Sequence, residues 1–194
     1  RKASLWEQSS ALVEGPRIWE AARAAGRSVG MFFWQQSLGE AADYVISPAP
    51  VHFHHGGMAM ETYTRPTELA RLLLAQCGRF PLNRYWGPLA SPKVGDAVVA
   101  CTEAALATVA PDVLFVYLPT LDYDLQRFGP ADDRCARSFE LLRRQLCRLA
   151  TFAEKRGFEL LVIGDYAIAA VNQAPALPNV TLRKAGFLAT RIVR

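Results

Sequence analysis

The chain has 194 residues, 51% of them hydrophobic and 21% charged, which is enough to bury a sizeable core in a single domain. The net charge of +4 comes from Lys and Arg spread along the chain, with no basic run interleaved with aromatics; this argues against a nucleic-acid surface and for a mild attraction of anionic substrates. No apolar run reaches the roughly 18 residues of a membrane helix. Cys77, Cys101, Cys135 and Cys147 lack CxxC spacing. That pattern argues against a thiol-ligated metal or a disulfide framework and fits a reducing, cytoplasmic setting. The first residue is Arg1, and the chain reads as part of a longer protein, with no signal peptide of its own.

Gly15-Pro16 opens a helix that Gly26 closes, with Ile18, Trp19 and Ala22 on its apolar face. "SVGMFFW", 28 to 34, is a continuous apolar run of strand length, and "DYVIS", 43 to 47, is a shorter strand. "PAPVHFHHGGMAMETYTRP" reads as a loop. "RPTELARLLLAQCG", 65 to 78, is a helix with Thr67 near its start and Gly78 at its end. "RFPLNRYWGPLASPK" is a proline-broken surface segment, followed by an alanine-rich helix over 94 to 111. "DVLFVYLP" is the strongest strand. A long helix runs from about Asp132 to Lys155, capped by Asp132 and Asp133, with Cys135, Phe139, Leu142, Leu146, Leu149 and Phe152 along one stripe. "FELLVIGD", 158 to 165, is another buried strand, "PNVTLRKAG" a short helix and "FLATRIV" a last strand. Alternation of apolar strands with helices gives an α/β fold: a mainly parallel sheet with helices on both faces.

In such sheets, ligands sit beyond the carboxyl ends of the strands. Two of the expected strands end in acids there. One leads into "YLPTLDYDLQRFGP", with Asp122, Asp124 and Gln126; the other leads into Gly164-Asp165-Tyr166. If the strands are neighbours joined through the long helix, Asp122 and Asp165 face one crevice. Oxygen ligands from separate rigid elements are what a divalent cation needs. The plainer reading of a single strand-end aspartate is a turn former, and Asp124 reads most simply as bonded within its own loop. His52, His54 and His55 account for every histidine in the chain. H-x-H-H before Gly-Gly could hold a metal or phosphate, and its plainer reading is a surface loop. Tyr123 is either pocket lining or a structural strand-end residue, and the tryptophans read as packing.

"VYLPTLDYDLQRFGP" followed after a long helix by "LLVIGDYAIAAV" resembles the type I phosphodiesterase / nucleotide pyrophosphatase family of the alkaline phosphatase superfamily. "SSALVEGPRIWEAARAAGRSVGMFFW" and "AGFLAT" are similar to further segments of that family. The resemblance implies an alkaline-phosphatase-like core, incomplete at both ends, with residues 1 to 194 forming one α/β part of a larger catalytic domain. It implies that Asp122 and Asp165 ligate metal. Gln126 and Tyr166 stand where the family has histidine ligands, and become altered ligands or groups that orient water or substrate. Asp124 is a further possible ligand of this kind. His52, His54 and His55 fall near the substrate rim.

The implied activity is hydrolysis of phosphoester or phosphodiester bonds in a small phosphorylated substrate, with a divalent ion (Mg, Mn or Zn) as cofactor. Replacing imidazole by amide and phenol shifts the expected ion toward hard, oxygen-seeking cations. The hydroxyl nucleophile is expected upstream of Arg1 and the last histidine ligand downstream, so the chain by itself is expected not to turn over substrate. A catalytically inactive binding or scaffold relative is one competing reading, and a phosphoryl transferase or mutase another. A truncated sheet could also self-associate through an open edge.

Overall fold

The structure is a computed structural model that describes residues 8–52, 58–59 and 62–189. The element order is α1 (Ile18–Ala24), β1 (Val29–Phe32), β2 (Tyr44–Pro48), β3 (Val51–His52), β4 (Met58–Ala59), β5 (Thr62–Arg65), α2 (Glu68–Cys77), α3 (Leu82–Tyr85), α4 (Val94–Leu106), β6 (Val113–Val116), α5 (Thr120–Phe128), α6 (Asp133–Arg156) and α7 (Pro178–Lys184). The main sheet has the order β5-β2-β1-β6. β1 is parallel to both β2 and β6, while β5 joins antiparallel at the edge. The expected α/β class with a mainly parallel sheet is what the chain builds. β3 and β4 form a separate two-stranded ladder.

Alternate residues of the strands feed two cores, as the two-residue period of a strand requires. Phe32, Ile46, Leu114 and Val116 pack with Leu69 and Leu73 of α2, Val98 of α4 and Phe152 of α6. On the other face Val29, Met31, Val45 and Phe115 meet Trp19 and Ala22 of α1. Trp19, Trp34 and Phe115 pack edge to face there, with ring centroids 5.5 to 6.2 Å apart. Gly30 lets β6 approach: a Cβ at that position would lie 2.7 Å from Leu114 Cδ1.

Acids staple the amino ends of the strands. Asp112 accepts from both the backbone N–H and the hydroxyl of Ser28, each at 2.7 Å, and Asp43 accepts from the Val29 N–H at 2.8 Å. The Ser28 hydroxyl and amide hold the Asp112 carboxyl below its ordinary range. Asp132 caps α6 by accepting from the Arg134 N–H at 2.9 Å, as its sequence position predicts, and Gly157 ends the helix in a left-handed turn.

Four expectations are corrected. Residues 62 to 65 are not loop but the edge strand β5, where Thr-Tyr-Thr supplies branched and aromatic side chains that suit a pleated surface. The surface segment 79 to 93 contains α3, whose Leu82 and Tyr85 are buried. The stretch after β6 is not a loop: Thr120–Phe128 is the helix α5. The run 158 to 165 forms no strand. Leu161 is 84% and Ile163 71% exposed, so the expected strand-helix-strand unit is not closed. An apolar run encodes a demand for burial, but pairing needs a neighbour, and the sheet among the described residues stops at β6. Of the expected last strand, Phe187 is exposed and residues 190 to 194 lie outside the described residues.

Candidate active site

The carboxyl ends of β1 and β6 open into a cavity of about 650 Å³. It is lined by Gln35 and Gln36 after β1, Tyr85 and Trp86 at the end of α3, Tyr117 after β6, Asp122, Tyr123, Gln126 and Arg127 of α5, and Asp165 and Tyr166. This is the crevice position that an open parallel sheet offers to a ligand.

Backbone geometry shapes the rim. Phe33, directly after β1, has φ 58°, an uncommon conformation for a bulky side chain, costing about 1–3 kcal/mol. The surroundings hold it there. Its N–H donates to the Ile46 carbonyl at 2.6 Å, its carbonyl accepts from the Tyr85 hydroxyl at 3.2 Å, and its ring lies 4.7 Å from that of Phe80. The chain thus leaves the sheet abruptly and presents Gln35 and Gln36 to the cavity. Gln36 is itself left-handed, with φ 49°.

α5 positions the acid. Its first residue, Thr120, is buried and donates to Gln145 Oε1 of α6 at 2.6 Å, while the Gln145 amide donates to Asp96 of α4 at 3.0 Å. This bridge needs Gly95, because a Cβ there would sit 2.4 Å from both Thr120 Oγ1 and Gln145 Oε1. One turn of helix separates Asp122 from Gln126, so the two project from the same face. Asp124, two residues on from Asp122, faces the other way and accepts from the Ser138 hydroxyl of α6. The structure therefore brings Asp122, Gln126, Asp165 and Tyr166 to one cavity and places Asp124 in the contact between α5 and α6. His54 and His55 lie outside the described residues, and of His52 only its backbone place in β3 is described.

Phenols surround the Asp122 carboxylate. Tyr117 donates to its Oδ2 at 3.2 Å and Tyr166 donates to its Oδ1. Tyr123 turns its hydroxyl away, to the Tyr85 carbonyl at 2.8 Å. Burial, and then the negative charge of Asp122, raise the Tyr117 and Tyr123 phenols above their ordinary range. Tyr166 is pushed up to about 12 by what burial it has and by its bond to Asp122. At neutral pH all three are protonated donors.

The donors present test whether a cation fits. Asp122 and Asp165 supply carboxylate oxygens and Gln126 an amide oxygen, a set that suits hard ions such as Mg, Mn or Ca. A carboxylate has about four lone-pair sites, so an ion can bind Asp122 by competing with the two phenolic bonds without being excluded by them. Among the described residues no group of three or more His, Cys, Asp or Glu side chains is placed to hold a metal. By donor chemistry alone, the side chains of Asp122, Asp165 and Gln126 suit an oxygen-bound ion better than zinc.

Pattern reading missed three of the cavity's aromatics. Tyr85 and Trp86 lie in a stretch expected to be surface, and the hydroxyl of Tyr117 was hidden in an apolar strand run. The four-residue spacing of Asp122 and Gln126 was the available sign of a helix.

Fold and cavity together define an α/β protein with an acidic, tyrosine-rich crevice at the carboxyl edge of a mainly parallel sheet. A family model described as type I phosphodiesterase / nucleotide pyrophosphatase matches residues 1–191, and the chain belongs to that family. No curated protein and no solved structure matches it. Among the described residues no helix is long and apolar enough to cross a membrane.

Proposed function

We propose that this protein serves the hydrolysis of phosphoester or phosphodiester bonds with a divalent cation held by Asp122 and Asp165. The observation that carries the reading is that these two acids, 43 positions apart in sequence, line the same cavity at the sheet's carboxyl edge. Family membership supplies the chemical class. When bound, the cation lowers the pKa of an attacking hydroxyl and offsets charge on the phosphoryl oxygens.

The chain's own residues do the rest. Tyr117 fixes the Asp122 carboxylate from the strand end. Gln126 orients water or a substrate oxygen beside it. Arg127 offers a guanidinium that attracts the phosphate group. The rings of Tyr85, Trp86 and Tyr123 form an apolar wall that keeps bulk water from one side of the cavity.

Calorimetric titration with Mg, Mn and Zn tests the reading. Asp122→Asn and Asp165→Asn each weaken binding by about tenfold or more, and Mg or Mn is preferred to Zn. Binding unchanged in both variants overturns the assignment. The chain by itself leaves a bis-nitrophenyl phosphate intact; robust, metal-dependent release of nitrophenol would show that the nucleophile lies within it. One observation favours a non-catalytic binding role instead: both oxygens of Asp122 already carry a phenolic hydrogen bond. Absence of cation binding at any concentration would support that role.

A further inference from the structure

We propose that Tyr166 is a hydroxyl latch on Asp122: its phenol holds a carboxylate oxygen that the cation has to take, so that removing the hydroxyl tightens cation binding. This rests on the reading of Asp122 and Asp165 as the cation's ligands.

The two phenols on Asp122 differ in how they are anchored. Tyr117 follows β6 directly, and its N–H donates to the Phe32 carbonyl at 3.1 Å, so its ring is carried by the sheet. Its aromatic body packs against the larger core. Tyr166 sits beyond α6 on the segment that forms no ladder, next to exposed Leu161, Val162 and Ile163, and is itself 56% exposed. Moving Tyr117 means disturbing a strand end. Moving Tyr166 disturbs little beyond its own hydrogen bonds.

Those bonds engage the side chains of Asp122 and Gln126 that line the cavity. Tyr166 donates to Oδ1 of Asp122, and its phenolic oxygen accepts from the Gln126 amide, one turn further along α5. The phenol therefore occupies one carboxylate oxygen of α5 and ties down the Gln126 side chain beside it. Asp165 is the neighbour of Tyr166 in sequence, so a cation that draws Asp165 toward Asp122 acts on the same stretch of backbone that carries the latch. A neutral phenol competes with the cation for the carboxylate but does not stop it, since a cation attracts the carboxylate more strongly than a hydroxyl donor does. Tyr166 thus sets the affinity, and Tyr117 sets the orientation of the carboxylate.

The experiment measures Mn binding to the protein by electron paramagnetic resonance of the free ion, in wild type, Tyr166→Phe, Tyr117→Phe and Asp122→Asn. Phe keeps the ring and removes the hydroxyl alone. Tyr166→Phe binds Mn about three- to tenfold more tightly, the effect of releasing one hydrogen bond to a charged acceptor. Tyr117→Phe gives no such gain, and Asp122→Asn loses binding. In wild type, adding Mn also perturbs the near-ultraviolet absorption of tyrosine, and that perturbation falls in Tyr166→Phe. Equal or weaker binding by Tyr166→Phe, with Asp122→Asn still impaired, overturns the latch and leaves the cation site standing. So does binding without any tyrosine perturbation in wild type. If wild type binds no Mn, or Asp122→Asn binds as well as wild type, the cation reading fails and the latch fails with it.

Discussion

Two apolar runs, Val113-Leu114-Phe115-Val116 and Leu160-Leu161-Val162-Ile163, are nearly interchangeable as sequences, and the molecule treats them in opposite ways. The first is β6, paired residue for residue with β1, its alternate side chains entering two cores. The second leaves α6 after the Gly157 turn and stays exposed, from 48% at Leu160 to 84% at Leu161. Both lead to an aspartate of the cavity. The difference teaches that a strand is a property of the pair and not of the run. β6 has Gly30 opposite Leu114 to admit its side chain, and the Ser28–Asp112 staple fixes its register at the first residue. The later run has neither a complementary gap nor a staple among the described residues. Asp122 is accordingly held by a helix wedged against the body, while Asp165 rides on a segment with few anchors.

The largest effects should separate the two runs by stability. Leu114→Ala removes a side chain packed into the core and costs about 2–3 kcal/mol, whereas Leu161→Ala changes stability by less than about 0.5 kcal/mol. Urea unfolding of both variants checks this, and equal losses would mean that the second run is also packed. A glycine pair draws the same contrast more finely. Gly95→Ala drives a methyl into Thr120 and Gln145, costing about 1–3 kcal/mol through overpacking and shifting α5 with its acid. Gly164→Ala meets nothing within 4 Å and is nearly neutral. If Gly95→Ala left both stability and Mn affinity untouched, the bridge from Thr120 to Gln145 would have no part in placing Asp122. Limited proteolysis should cut first between residues 158 and 177, where the backbone is exposed and outside helix and strand, and spare β6.

How far the sequence discloses this molecule follows the same division. β1, β2, β6 and the helices α2, α4 and α6 are legible because periodicity, caps and composition agree at those places, as with Asp132 at the start of α6 and Gly157 at its end. β5 is hidden because its four residues lie in a stretch whose glycines and histidines read as loop. α5 is hidden because Pro119 and two aspartates mimic a turn, although Pro119 at the N-cap position and Asp122 in the first turn are also how a helix begins. At the site, Asp122 and Asp165 line one cavity although the premise of two neighbouring strand ends does not hold, since the run before Asp165 forms no strand. The phenolic pair on Asp122 does not follow from the sequence, since hydrogen bonds between Tyr117, Asp122 and Tyr166 depend on side-chain placement that no spacing encodes.

The smallest expected effect tests the staple that β6 has and the later run lacks. Asp112 sits with its carboxyl below the ordinary range because the Ser28 hydroxyl and amide bond to its charged form. Protons bind more readily to the unfolded chain, where the value is near 3.9, than to the folded one. The stabilisation is therefore complete above about pH 5 and fades as pH falls through the lower folded value. Asp112→Asn abolishes this titration. Urea midpoints of wild type and Asp112→Asn should differ most near neutral pH and converge as acid is added, because protonated wild type then resembles the variant. The carboxyl is well exposed, so the gap will be modest and will shrink further in salt. A gap that stays constant from neutral to acid pH would mean that Asp112 contributes by shape alone, and that the register of β6 is fixed by its packing opposite Gly30 instead.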